Sequence, residues 1–305
     1  MEVEEVFARF RAIKQGIKTR KKAGSIWFGD HKSPLHGSGY DIVGVDRWRP
    51  GQSLKDISWT LSLRGYPEKL FKIERMEPKE IRTLFVVDLS YSTLFQISHK
   101  SNKALLLLDL IGGIGLTRAN MHDPVGLLAF SDRIELFLKP KLGSAQIFHM
   151  AQEIFEKLRV AREFPSKRRA DFSVALQFLA ARLKTRHSIV LISDLVDITN
   201  DEESIDFKLL TRLAWKHDLT VLILDDPDEF RMPGRFGYVR IANMETGEQT
   251  VISARKAPLI RRHAEEACEA LRTRLKRECG VDSAVLTPQN HFEELLRFLM
   301  TRTTH

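Results

Sequence analysis

The chain has 305 residues, of which 43% are hydrophobic and 29% charged, and its formal net charge is +8 at pH 7. This composition is typical of a soluble globular protein with one large domain or two smaller ones. The most apolar segment, residues 104–116, is too short to span a membrane, and the two cysteines belong to no metal-ligand cluster, so we exclude zinc and redox sites and expect a cytoplasmic location.

Residues 1–79 differ in kind from the rest of the chain. A basic amphipathic helix from about residue 4 to residue 22 leads into turn-rich sequence that contains Trp27, Trp48 and Trp59, three of the four tryptophans. Residues 71–74 alternate like a strand. We expect a small β-rich cap in which the tryptophans are more often core anchors than an exposed binding surface.

Three strands and a long helix are predicted between residues 83 and 139. Residues 83–88 form an apolar run typical of a buried parallel strand, and residues 102–121 have helical length and are apolar on nearly all sides. Residues 125–130 are a second buried strand, and the short link after them can only lead into residues 133–139 as an antiparallel hairpin. We therefore expect strand 83–88 at the centre of a sheet and an antiparallel strand at one edge.

The second half of the chain repeats strand and helix. Helices are predicted at 144–159, 171–184, 207–217, 258–278 and 292–300, and strands at 188–194, 219–225 and 284–286. A hairpin near 228–256 is an insertion. The pattern predicts an α/β fold with a doubly wound, mostly parallel sheet over residues 80–305, following an N-terminal region over residues 1–79.

Polar residues stand at the ends of two of these strands. Asp88, Ser90 and Ser92 follow the first buried strand, and Asp194 ends a later one. Open α/β sheets place their sites at the carboxyl ends of strands, and oxygen donors on one tight loop suit Mg²⁺. Aspartate and serine are also common turn formers, so the pattern alone leaves a plain turn open.

The N-terminal region carries a recognisable signature. It reads Gly-Ser-Gly-Tyr-Asp at residues 37–41, Val-Asp-Arg-Trp-Arg-Pro-Gly at 45–51, Leu-Lys-Asp-Ile-Ser-Trp at 54–59 and Leu-Arg at 63–64. This resembles the bacterial family called domain of unknown function fifty-eight, over roughly residues 28–195. Members carry a von Willebrand factor A-like domain after the signature, so the resemblance implies the von Willebrand A-like form of the doubly wound sheet.

The motif of Asp88, Ser90 and Ser92 resembles the metal-ion-dependent adhesion site of von Willebrand A domains. There the two serines bind Mg²⁺ directly and aspartates act largely through water. Carried over, the resemblance implies Ser90 and Ser92 as direct ligands, with Asp88 and Asp194 orienting water.

A threonine that completes such sites is missing from this chain. The family pattern Thr-Asp-x-x-x-Ala-Leu begins here with Ala170 and Asp171, so only Asp171 or Ser173 can substitute for the missing hydroxyl. The residues predicted to hold the metal are thus Asp88, Ser90, Ser92, Asp171 and Asp194, with Mg²⁺ as the candidate cofactor.

The resemblance also implies a function. Similar proteins are often linked to MoxR-type AAA+ ATPases as co-chaperones. We therefore expect a protein-interaction adaptor rather than an enzyme, whose partner, a MoxR-type AAA+ ATPase or its client, offers an acidic side chain to the site.

Two alternatives stay open. A Mg²⁺-dependent phosphohydrolase would use Asp88 with the Asp225–Asp226 pair, but Ser90 stands where such enzymes place a general acid, and a hydroxyl cannot do that work near neutral pH. A nucleic-acid-binding protein would use the basic runs at 9–22, 167–169 and 261–277, although such runs on helices are more often solvated faces or docking surfaces for acidic proteins.

Overall fold

The computed structural model describes residues 36–37, 41–64, 69–76, 81–94, 103–163, 169–196, 198, 205–227, 238–242 and 249–303. The chain divides into two compact units. One is Phe28–Glu80, and the other contains Ile81–His305. The basic run predicted as a helix at residues 4–22 and Trp27 lie outside the described residues.

The smaller unit contains a three-stranded antiparallel sheet. Its elements are β1 (His36–Gly37), β2 (Asp41–Arg47), a 3₁₀ turn (Leu54–Asp56), helix α1 (Trp59–Arg64) and β3 (Phe71–Met76). The strand order is β1-β3-β2. Trp48 is half-buried and donates from Nε1 to the Ser53 carbonyl at 3.2 Å, but Trp59 is 58% exposed, so the expectation of a core anchor is wrong for Trp59.

The larger unit is built on a six-stranded sheet in the order β11-β8-β7-β4-β5-β6. These strands are β4 (Thr83–Asp88), β5 (Val125–Phe130), β6 (Ile134–Lys141), β7 (Ser188–Ser193), β8 (Asp218–Leu224) and β11 (Asp282–Leu286). Every pairing is parallel except that of β6 with β5. The predicted α/β class, the central position of β4 and the antiparallel edge strand are confirmed.

Helices flank this sheet in the larger unit. They are α2 (Tyr91–Leu94), α3 (Lys103–Asn120), α4 (Ser144–Glu163), α5 (Phe172–Arg182), α6 (Phe207–Lys216), α7 (Ala257–Arg274) and α8 (His291–Thr303). A π-helical turn, Leu275–Cys279, extends α7 and ends at Gly280, whose φ of 66° suits glycine. A separate hairpin pairs β9 (Tyr238–Ala242) with β10 (Gln249–Ser253).

Burial in the core explains why β4, β5, β7 and α3 form where the sequence predicts them. All residues of β4, β5 and β7 are buried, which accounts for their unbroken apolar runs. Helix α3 is buried along most of its length, and a Cβ on Gly115 would lie 3.0 Å from Ile147 of α4, so glycine allows the two helices to approach closely. Among the described helices, none combines the length and the apolar character that a membrane crossing requires.

Candidate functional site

The candidate site lies where β4 and β7 end. The two strands are parallel neighbours, with Thr83 opposite Ser188 and Val87 opposite Ile192, so the segments that follow them leave the sheet at the same edge. Asp88 closes β4, and Asp194 follows β7 directly. The register therefore brings together two aspartates that are far apart in the sequence.

Asp88 is held by hydrogen bonds from three residues. Its Oδ1 accepts from the Ser90 backbone at 2.7 Å, and its Oδ2 accepts from the hydroxyls of Ser193 at 2.7 Å and Thr93 at 3.3 Å. The side chain is only 1% exposed. Burial, and next the negative charge of Asp194, raise the pKa of Asp88 to about 7, while the hydrogen bonds from Ser193 and Ser90 act in the opposite direction.

The hydroxyl groups form a second part of the site. Ser90 Oγ lies 3.2 Å from Ser92 Oγ and 3.3 Å from Thr93 Oγ1, and all three residues are buried. Ser90 and Ser92 are brought together as the sequence predicts. Thr93 was not predicted, although it is the next hydroxyl residue after the motif.

Asp194 is paired with a buried lysine. Lys103 Nζ lies 3.0 Å from Asp194 Oδ2, and both side chains are 2% exposed. The other carboxylate oxygen, Oδ1, accepts from the Val196 backbone at 3.3 Å. Between these residues Leu195 has a left-handed φ of 56°, and its N–H donates to Ser193 Oγ at 2.9 Å, so the turn itself is fixed by the site.

We call the set of Asp88, Ser90, Ser92, Thr93, Lys103, Ser193 and Asp194 the strand-end cluster. Sequence reasoning missed Lys103 and Ser193. The signal for Lys103 was a cation directly before the apolar run at residues 104–108 of a helix. Such a charge is buried only if an opposite charge meets it.

Asp171 caps a helix in the structure. Its Oδ1 accepts from the backbone N–H groups of Ser173 at 2.9 Å and Val174 at 3.3 Å, which makes it the N-cap of α5. Its own N–H donates to the Ser131 carbonyl, just after β5, at 2.9 Å. The capping bonds engage Oδ1 of this carboxylate, and the metal-ligand role of Asp171 stays a prediction.

Replacing Asp171 should therefore reveal a cap. Asp171→Ala is expected to lower the free energy of unfolding by about 1 kcal/mol, because two backbone donors lose their acceptor. Asp171→Asn should lose clearly less, since asparagine also caps helices well. Urea unfolding measures both, and equal losses in the two variants would contradict the capping role.

The chemistry of the donor set decides whether Mg²⁺ fits. Neighbouring ligands of an octahedral Mg²⁺ ion lie about 3 Å apart, and the hydroxyls of Ser90 and Ser92, at 3.2 Å, meet this spacing. The two aspartates do not fit a Mg²⁺ site in the same way. Asp194 is paired with the Lys103 ammonium, and Asp88 accepts hydrogen bonds from protein groups such as the Ser193 hydroxyl. The Mg²⁺ ion that the resemblance implies stays a prediction, with Lys103 as the competing cation.

A third strand end adds more charges at this edge. Asp225 follows β8, and Arg261 of α7 lies 3.6 Å from its carboxylate and donates to the Pro227 carbonyl at 3.0 Å. Burial raises the pKa of Asp225, whereas the charges of Arg261 and Lys103 act to lower it. The carboxylates at the ends of β7 and β8 are thus both met by basic side chains.

The family of the chain can now be stated. A family model described as "Protein of unknown function DUF58" matches residues 45–274. The chain belongs to this family. The resemblance to the family seen in the sequence is confirmed at this level.

Relatives of this DUF58 chain include uncharacterized mycobacterial proteins. Rv1480 of Mycobacterium tuberculosis strain H37Rv is 21% identical over 290 residues, covering 94% of this chain and 87% of the relative. Mb1516 of Mycobacterium bovis matches to the same extent, at 21% over 290 residues.

Two solved structures resemble the DUF58 chain weakly. BatB from Bacteroides thetaiotaomicron has a TM-score of 0.41 at 14% identity, covering 73% of this chain and 98% of that one. An uncharacterized membrane spanning protein from Vibrio fischeri has a TM-score of 0.16 at 12% identity, covering 73% and 99%. TM-scores this low do not establish a shared fold.

Proposed function

We propose that this DUF58 protein is a non-enzymatic adaptor or co-chaperone. In this proposal the larger unit is a von Willebrand A-like domain, and its strand-end cluster receives an acidic side chain of a partner protein. The central position of β4, the antiparallel edge strand β6 and the location of the cluster at the carboxyl ends of the strands support the proposal.

One observation carries the proposal. Ser90 Oγ and Ser92 Oγ lie 3.2 Å apart in the same cluster as a buried ammonium group. A carboxylate is recognised by hydroxyl donors and positive charge together, because hydrogen bonds to an ionised acceptor are roughly twice as strong as neutral ones. Since Ser90 and Ser92 are buried, a partner reaches them only after the residues that cover them move.

The partner we propose is a MoxR-type AAA+ ATPase or its client. This part of the proposal rests on the family resemblance. A strand-end receptor for a carboxylate is compatible with it, because one acidic side chain on an ATPase surface or on its client is sufficient to occupy such a site.

The ion pairs of α7 make nucleic acid a weaker candidate partner. Its arginines are paired with glutamates of the same helix and its extension. These pairs are Arg261–Glu265, Arg262–Glu266, Arg272–Glu269 and Arg274–Glu278. The run at 261–277 is therefore largely neutralised along the helix, which weakens the attraction for phosphates that nucleic-acid binding needs.

A double replacement tests the proposed site. Ser90→Ala with Ser92→Ala removes both hydroxyls, and we expect binding to a purified MoxR-type AAA+ ATPase from the same organism to weaken at least about tenfold, because bonds to charged groups contribute about 1.5–3 kcal/mol each. Biolayer interferometry measures the dissociation constants. The double variant should keep its thermal unfolding transition within a few degrees.

Thr117→Val is the matched control for this experiment. Thr117 carries another buried hydroxyl, which donates to the Gly113 carbonyl within α3 at 2.7 Å. The control should bind the ATPase as the parent does. If the double variant also binds with unchanged affinity, the cluster does not receive the partner and recognition lies elsewhere.

A further inference from the structure

We infer that the resident cation of the strand-end cluster is the ammonium group of Lys103, and that this group takes the place of a divalent metal ion. The inference goes beyond the proposed function, because it stands whether or not a partner binds at the site. It disagrees with the Mg²⁺ ion that the family resemblance implies.

The burial of the ion pair is the first argument. Lys103 Nζ and Asp194 Oδ2 are 3.0 Å apart, and each side chain is 2% exposed. A charge at this depth is retained only when an opposite charge and further hydrogen bonds meet it. The Val196 N–H supplies such a bond to the other oxygen of Asp194.

The place of Lys103 in α3 is the second argument. It is the first residue of the helix, where the positive end of the helix dipole disfavours a cation. Helix stability therefore gives no reason for a lysine here. The ion pair with Asp194 accounts for the lysine at this position. The charge of Lys103 also reaches a second carboxylate: burial raises the pKa of Asp225, and the charges of Arg261 and Lys103 act to lower it.

The state of the carboxylates is the third argument. A Mg²⁺ ion bound by Ser90 and Ser92 needs the carboxylates of Asp88 and Asp194 to neutralise it. Asp88 already accepts hydrogen bonds from Ser90, Thr93 and Ser193, and Asp194 already compensates Lys103. A dication would add two positive charges to a buried cluster that already holds the Lys103 ammonium, and the repulsion would be only weakly screened.

Thermal unfolding of the purified full chain tests the inference without any partner. We expect the parent to unfold at the same temperature in EDTA and in excess Mg²⁺. Lys103→Met should lower the transition by about 10 °C, because it leaves Asp194 buried and unpaired. Lys103→Met combined with Asp194→Asn should recover most of that loss, because the cluster then lacks both charges.

A lysine in a partly exposed ion pair provides the control. Lys157 lies 3.3 Å from Glu135, and its side chain is 36% exposed, so Lys157→Met should shift the transition by no more than about 3 °C. The inference is overturned if Mg²⁺ raises and EDTA lowers the transition of the parent, or if Lys103→Met unfolds at the parental temperature. The comparison of EDTA with Mg²⁺ needs only the parent protein, so it tests whether a divalent metal ion binds even if a variant fails to fold.

These results are independent of the Ser90 and Ser92 experiment. Loss of the proposed partner binding would leave the unfolding temperatures of the Lys103 variants unchanged. Conversely, a parent stabilised by Mg²⁺ would overturn the role of Lys103 and leave partner binding at the two serines standing.

Discussion

Gly126→Ala is expected to lower the free energy of unfolding by about 3 kcal/mol, at the upper end of the cost of overpacking. A Cβ at this position of β5 would lie 2.7 Å from the Leu138 carbonyl oxygen and 2.8 Å from Pro140 N. Both are backbone atoms of β6, the strand that pairs with β5 at the edge of the sheet. The added methyl group can be accommodated only if the edge strand moves away.

Urea unfolding of Gly126→Ala and Gly113→Ala measures the effect against a matched glycine. A Cβ on Gly113 would meet only the side chain of Phe292, at 3.3 Å, and alanine favours a helix interior over glycine by about 1 kcal/mol. Gly113→Ala should therefore change stability little. Equal losses in the two variants would show that the close approach of β5 and β6 is not what requires glycine at position 126.

Lowering the pH from 7 to 4 should cost about 3 kcal/mol of stability through His217 alone. This residue is 2% exposed, and its Nδ1 accepts from the His187 backbone at 3.2 Å. Burial, followed by the charges of His187, Lys216 and Arg186, lowers the pKa of His217 from 6.5 to about 4. A proton on Nδ1 would also abolish the hydrogen bond.

The sign of this effect follows from the two pKa values. Between pH 6.5 and pH 4 the unfolded chain binds a proton at His217 that the folded chain does not bind. Stability is therefore complete above pH 6.5 and falls as the pH is lowered through this window. The pKa of His187 is lowered as well, first by burial, so the parent carries a second contribution of the same sign.

His217→Asn isolates the contribution of one histidine. Asparagine keeps an acceptor near the position of Nδ1 but does not titrate. The difference in unfolding free energy between parent and variant, measured by urea titration from pH 7 to pH 4, should shrink steadily. His263→Asn, at a side chain that is 80% exposed, serves as control, and parallel curves for parent and His217→Asn would contradict the prediction.

Most of the sheet was predictable from the sequence because its central strands are buried on both faces. Unbroken apolar runs such as Leu-Phe-Val-Val in β4 allow few other placements, and β4 and β7 begin at the residues that their patterns indicate. The short link after β5 likewise left an antiparallel pairing as the sole choice for β6.

The candidate site was only partly predictable, because its bonds join distant segments. Local spacing suggests that Asp88, Ser90 and Ser92 converge, and the positions of β4 and β7 suggest Asp194. Local spacing does not reveal that Lys103 meets Asp194, since 91 residues separate them. Only a charge at the start of an apolar helix pointed to this pair.

Asp171 and Trp59 show what residue type alone leaves undecided. Asp171 precedes a helix, and the backbone N–H groups of that helix take up one of its carboxylate oxygens. Trp59 is large and apolar, yet 58% of it is exposed, because residue type does not say which face of a short helix meets the core.

The strand-end cluster also sets an order of events when the chain is made. The bonds from Lys103 to Asp194 and from Ser193 to Asp88 span 91 and 105 residues. At a synthesis rate of about 5–20 residues per second, Asp194 is added to the chain about 5–20 seconds after Lys103. Its ammonium stays hydrated during this interval, since burying it alone would be too costly. We therefore expect the first turn of α3 to dock only when β7 joins the sheet beside β4.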